Sequence, residues 1–279
     1  MSQQKNQISD TELKQKLVSD SIQSDQYKFP TETIDLPSRG WFYDQDSPLA
    51  SGKVELKYPT AKEEDILTTQ NLIKQGTVVD KFLQSVIVSP INYNDLLIGD
   101  KNAIMVAARI LAYGSTYEYD ATCPNCGTRS KESINLSEIE DKEVDFTKSE
   151  KGQRTFELKL PASKRTITFQ FMTHGLERKV DEDVKVAKKR AKRSGIDPEL
   201  TTRMKRCIVS VDGNEERDYI SNFVDSEFLS RDSQAFRKHI NAIAPDSKML
   251  DEYECKECGH EEALDFPINA GFFWPESRV

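Results

Sequence analysis

No stretch of this chain stays apolar for the roughly 18–20 residues that a membrane-crossing helix needs. The opening Met1-Ser-Gln-Gln-Lys-Asn-Gln has no apolar core and no signal-peptide pattern, so the chain is expected to stay in the cytosol or to leave it by a route other than secretion through a membrane. Histidine is scarce: three in 279 residues, at positions 174, 239 and 260, none in an acid–base or nucleophile pattern. Phosphate-cradling, dinucleotide-binding, zinc-protease and nucleophile-elbow motifs are all missing, which argues against an enzyme. Excess positive charge is missing too. Thirty-nine Lys and Arg against 47 Asp and Glu leave a net charge of −8, the wrong sign for a general nucleic-acid coat. With 37% hydrophobic and 31% charged residues, core material is limited, and part of the chain is expected to be extended or to need a partner for burial.

The five cysteines are few but patterned. Four form Cys123-Pro-Asn-Cys126 and Cys255-Lys-Glu-Cys258, each followed at once by glycine, at 127 and 259. A two-residue spacer lets both sulfurs of a pair face one point, and two such pairs supply four thiolates for a tetrahedral ion. Paired cysteines in a reducing compartment read as metal-binding or redox. A redox pair calls for a thioredoxin-like strand-to-helix junction, whereas here both pairs lie between polar, strand-like segments. One structural Zn2+ held by Cys123, Cys126, Cys255 and Cys258 is therefore expected; no metal at all, or His260 competing as a ligand, are the alternatives. Four thiolates would close the site and leave no position for catalytic water. Cys207 reads as a small core residue.

The pairs are distant in sequence, so a single ribbon must have a domain inserted through it. The expected fold class is α+β: an N-terminal mainly helical unit with short strands, then a four-cysteine zinc ribbon split by an inserted α+β domain. The expected boundaries are a mobile arm over 1–28, the helical domain over 29–115, the ribbon over 116–136 and 250–270, the insert over 137–249 and an aromatic tail over 271–279. Within the helical domain, alternation predicts a strand over Gly52–Tyr58. Thr60-Ala-Lys-Glu63 has the form of a capping box. Further helices are expected over about 78–88 and from Asp100, read as a cap, to Gly114. In the insert, hairpin strands over 156–160 and 166–171 precede helices over about 175–193, 199–209 and 226–243.

Three features have both a bland and a functional reading. The basic run Lys185-Val-Ala-Lys-Lys-Arg-Ala-Lys-Arg193, continued by Arg203, Lys205 and Arg206, is either a solvated helix face or a surface for an acidic protein or nucleic acid. The clusters Trp41-Phe42-Tyr43 and Phe272-Phe273-Trp274 either pack on neighbouring elements or contact a partner protein. A zinc-ribbon nucleic-acid-binding regulator is the second functional reading of the whole chain.

An ordered set of segments carries a family resemblance: Leu36-Pro-Ser-Arg-Gly-Trp-Phe-Tyr43, Gly52-Lys-Val-Glu-Leu-Lys-Tyr-Pro-Thr-Ala-Lys-Glu-Glu-Asp-Ile66, Leu97-Ile-Gly-Asp100, Arg109-Ile-Leu-Ala-Tyr-Gly-Ser-Thr-Tyr117 and Cys123-Pro-Asn-Cys126. This resembles the baseplate hub and hub-assembly proteins of T-even-type contractile-tailed bacteriophages. The resemblance covers residues 29–135; the insert and second cysteine pair fit it more loosely. It implies a non-enzymatic subunit made in the host cytoplasm that acts in baseplate hub assembly. It also implies contact with other hub and tail proteins, and the virion tail baseplate as its place if it is retained there.

Overall fold

A computed structural model describes residues 30–190, 197–266 and 270–273. The expected N-terminal arm, Lys192, Arg193 and Trp274 lie outside the described residues. From Thr31 onward the chain clusters as one compact unit.

The described chain begins with an antiparallel pair, β1 (Thr31–Asp35) and β2 (Lys53–Lys57), in which Ile34 faces Val54. Three short helices follow: α1 (Ala61–Thr68), α2 (Gln70–Gln75) and α3 (Val78–Val86). The first opens on the expected capping box. Glu63 accepts from the Thr60 amide at 2.9 Å and from the Thr60 hydroxyl at 2.6 Å, and Lys57 Nζ lies 2.8 Å from it. Burial works to raise the Glu63 pKa, but those hydrogen bonds outweigh it and hold it down to about 2. The long helix α4 (Ile98–Tyr113) buries Ile104, Met105, Val106, Ala107 and Ala108, and Gly114 ends it.

Leu97, not Asp100, occupies the N-cap position of α4. Asp100 is instead fully buried. Its carboxylate accepts from the Ser38 amide at 2.9 Å and from the Tyr43 hydroxyl at 2.5 Å, while that hydroxyl accepts from the Leu97 amide at 2.9 Å. A cap was expected because Asp is common there; here the acid pins the Leu36–Tyr43 loop onto the helix.

A hairpin follows, β3 (Thr116–Thr122) with β4 (Arg129–Asn135). The stretch after it holds only 3-10 turns before a three-stranded antiparallel sheet, β5 (Thr155–Lys159), β6 (Thr166–Gln170) and β7 (Ile208–Val211), in the order β5-β6-β7. Between β6 and β7 run α5 (His174–Arg190) and α6 (Glu199–Cys207). Helix α6 stops two residues short of expectation because Ile208 begins the third strand, pairing with Phe169. Helices α7 (Arg217–Asn222) and α8 (Ser230–Ile243) lead to a last hairpin, β8 (Leu250–Glu254) with β9 (Glu261–Asp265). The architecture is α+β, and its buried apolar residues form one cluster that reaches from Leu36 to Phe273.

Candidate metal centre

The two cysteine pairs sit at matching places in two matching hairpins. Cys123 follows the last residue of β3, and Thr122 pairs with Arg129 across the turn. Cys255 follows the last residue of β8, and Glu254 pairs with Glu261. In each turn the first cysteine's amide donates to the carbonyl five residues on, Cys123 to Thr128 and Cys255 to His260, both at 2.9 Å. In each, the glycine amide donates back to the first cysteine, Gly127 at 2.9 Å and Gly259 at 2.8 Å. Both glycines hold positive φ, 74° and 65°, which is why a residue without Cβ closes each turn.

Across the space between hairpins, Cys123 Sγ lies 3.7 Å from Cys258 Sγ and Cys126 Sγ lies 3.6 Å from Cys255 Sγ. All four sulfurs lie within 4.8 Å of one another. Zinc–sulfur bonds of about 2.3 Å in a tetrahedron place sulfurs about 3.8 Å apart. The donor set therefore fits one tetrahedral thiophilic ion. Cys123 and Cys255 are buried; Cys126 and Cys258 face outward.

The surroundings favour thiolate at Cys255 and Cys126, whereas at Cys258 the Asn125 hydrogen bond is outweighed by the neighbouring sulfurs of Cys126 and Cys255, which push it up to about 11. Hydrogen bonds from the backbone at Cys258, reinforced by the Glu257 amide, pull the Cys255 pKa down to about 6. Cys126 is lowered through its contact with Thr128, whose hydroxyl lies 3.3 Å from the sulfur. Asn125 Nδ2 donates to Cys258 Sγ at 3.6 Å. His260 takes no part: its Nε2 turns to Glu262 at 3.1 Å. Away from the sulfurs the hairpins are joined by the Tyr119 hydroxyl, which donates to Asp251 at 2.6 Å, and by Phe266 against Tyr117 and Tyr119. Cys207 lies elsewhere in the core, where burial pushes its thiol up to about 11.

The other singled-out residues are not gathered at this centre. Phe42 and Tyr43 are buried, Phe42 stacking edge-on against Phe156 and Phe171. Trp41 is half-buried, its indole N–H donating to the Ser149 carbonyl at 3.2 Å. Phe272 and Phe273 are fully buried, against Tyr117 and Phe82 respectively. The four buried rings, Phe42, Tyr43, Phe272 and Phe273, already use their area inside this chain. In the basic run, Lys188 meets Asp197, Arg203 meets Glu177 and Glu199, Lys205 meets Asp225 and Arg206 meets Asp183. One anchor had a signal in the sequence but no role assigned to it. Arg109, buried in α4, donates to the carbonyls of Phe272 at 2.8 Å, Gly114 at 3.0 Å and Thr116 at 3.3 Å. Its signals were an arginine set in the apolar stretch 103–112 and its place at the head of the family-like segment 109–117.

Fold and site together define an α+β protein whose two equivalent cysteine hairpins bring four sulfurs to one point. The family model described as T4 bacteriophage base plate protein matches residues 42–274, and the chain belongs to that family: it is a phage structural protein of the virion's tail baseplate. No curated protein and no solved structure gives a significant match. No helix among the described residues is long and apolar enough to cross a membrane.

Proposed function

We propose that the chain is a non-enzymatic subunit of the baseplate hub, made in the host cytoplasm, that joins other tail proteins during assembly and is held in shape by one structural Zn2+. The observation that carries the zinc is the convergence of four sulfurs from hairpins distant in sequence on a sphere of tetrahedral size. When bound, the ion supplies cross-linking and no chemistry: with four thiolates around it, no position is open to water or substrate. Cys123 and Cys126 would hold it from one hairpin and Cys255 and Cys258 from the other. The ribbon would thus clamp the end of the N-terminal helical part to the end of an inserted α+β segment. The hub role rests on the family membership together with the segments from Leu36 to Cys126.

Metal analysis of the purified chain checks the first half: one zinc per chain with four sulfur neighbours in X-ray absorption is expected. Fewer sulfurs, or an iron–sulfur signature, would overturn it. Co-expression with the phage's hub and tail subunits checks the second; a stable complex is expected, and separation of the chain from all of them would sink the hub role.

A further inference from the structure

Helices α6 and α8 meet where Ser233 Oγ lies 3.6 Å from Met204 Sδ, and they line an open groove of about 270 Å³. Its floor is apolar, with Met204, Phe236 and Phe171 all buried. Leu200 stands on the α6 wall at 48% exposure, a large apolar side chain left in water beside an apolar floor. Arg237 stands on the α8 wall and, unlike Arg203, the other basic residue lining this groove, has no ion pair or hydrogen bond with any described residue. Arg203, across the groove, is held only at 3.5 and 3.6 Å by Glu177 and Glu199. The first turn of α4, at Ile98 and Gly99, also lines the groove, with the Ile98 amide already donating to the Met172 carbonyl at 3.1 Å. The acid of the groove, Asp246, is engaged by Asn102 at 3.1 Å and by the Ser247 amide at 2.9 Å.

We propose that this groove docks a short apolar segment bearing an acidic side chain, from a neighbouring baseplate subunit, with the apolar side chains on Leu200 and the floor and the carboxylate on Arg237. The charge complementarity is specific: a protein of net charge −8 leaves an unpaired guanidinium at the rim of an exposed apolar groove. Two helices presenting residues at helical spacing, Leu200 with Met204 and Arg237 with Asn241, form the wall geometry that receives an amphipathic segment. This inference rests on the baseplate reading above, because it takes the partner from the same assembly.

The test uses the full chain and overlapping synthetic peptides covering the tail subunits that co-assemble with it. Arg237→Glu and Leu200→Glu change exposed positions, so both variants should keep the wild-type circular dichroism spectrum. Peptides that bind should carry an acid beside apolar residues. Arg237→Glu should weaken them by about tenfold or more, and replacing the peptide's acid with Lys should recover binding to that variant. Unchanged binding by both variants overturns the groove while leaving the hub role standing, provided co-assembly persists. Concentration-dependent dimers abolished by Leu200→Glu would overturn it in favour of self-association. Capture of a fatty acid in place of peptide would likewise overturn it. A chain that co-assembles with no tail subunit fails the baseplate reading, and this inference with it.

Discussion

Removing any one of the four sulfurs should have nearly the same consequence, because the two hairpins are built alike down to their backbone hydrogen bonds. Cys123→Ser and Cys255→Ser are expected to lose zinc and stability together, since the ion's binding energy is folding energy for hairpins this polar. Loss of zinc in one variant with full occupancy in the other, read by metal analysis, would mean the pairs do not share an ion. Asp100 makes a different prediction. Burial pushes its carboxyl up to about 6, above the ordinary value near 4. The folded state therefore keeps a proton in a window where the unfolded chain has released it. That contribution to stability is present below about pH 4 and is lost as pH rises toward 6. Asp100→Asn has nothing to titrate and keeps one acceptor oxygen for two donors, the Ser38 amide and the Tyr43 hydroxyl, so one of them loses its partner at a cost of about 1–3 kcal/mol. In urea unfolding, the stability gap between wild type and variant should be widest near pH 4 and narrow toward pH 6. A gap independent of pH would count against the assignment.

At the level of elements, the strongest local signals formed what they promised. Thr60 and Glu63 start a helix because the backbone donors and acceptors they satisfy lie within four residues. Residues 116–122 form a strand because their alternation matches a half-buried surface. Elements that depend on distant partners were less legible. Residues 208–211 follow a helix without a break, and only pairing with Ile167, Thr168 and Phe169 makes them a strand. Helix α7 was not foreseen, since its six residues have little periodicity of their own. The start of α4 is fixed by packing: a Cβ on Gly99 would sit 2.0 Å from the Pro245 carbonyl oxygen. Gly99→Ala must push these backbones apart and should destabilise the fold by about 1–3 kcal/mol. A matching fall in the urea midpoint checks this, and an unchanged midpoint would refute the close approach.

For the whole molecule, the decisive contacts join the C-terminal end of the described chain to α3, α4 and β3. The carbonyl of Phe272 is held by Arg109, and the rings of Phe272 and Phe273 complete the core begun by Phe82 and Tyr117. Phe272→Ala should cost about 3–5 kcal/mol, as expected for a fully buried ring, and calorimetry should show one cooperative transition moved to lower temperature. A cost below about 1 kcal/mol, the level of a surface change, would mean the tail contributes little. The sequence by itself determined the four-cysteine pattern, the α+β class and the major helices and hairpins, because spacing, capping and periodicity act over a few residues. It also carried the family membership, through the order of its segments. Only the tertiary structure decided that the terminal aromatics pack inward, that Asp100 is an anchor and not a cap, and that Arg237 is left unpaired beside an apolar groove. Each of those depends on which distant surfaces meet, and burial and charge pairing are properties of the meeting rather than of either segment alone.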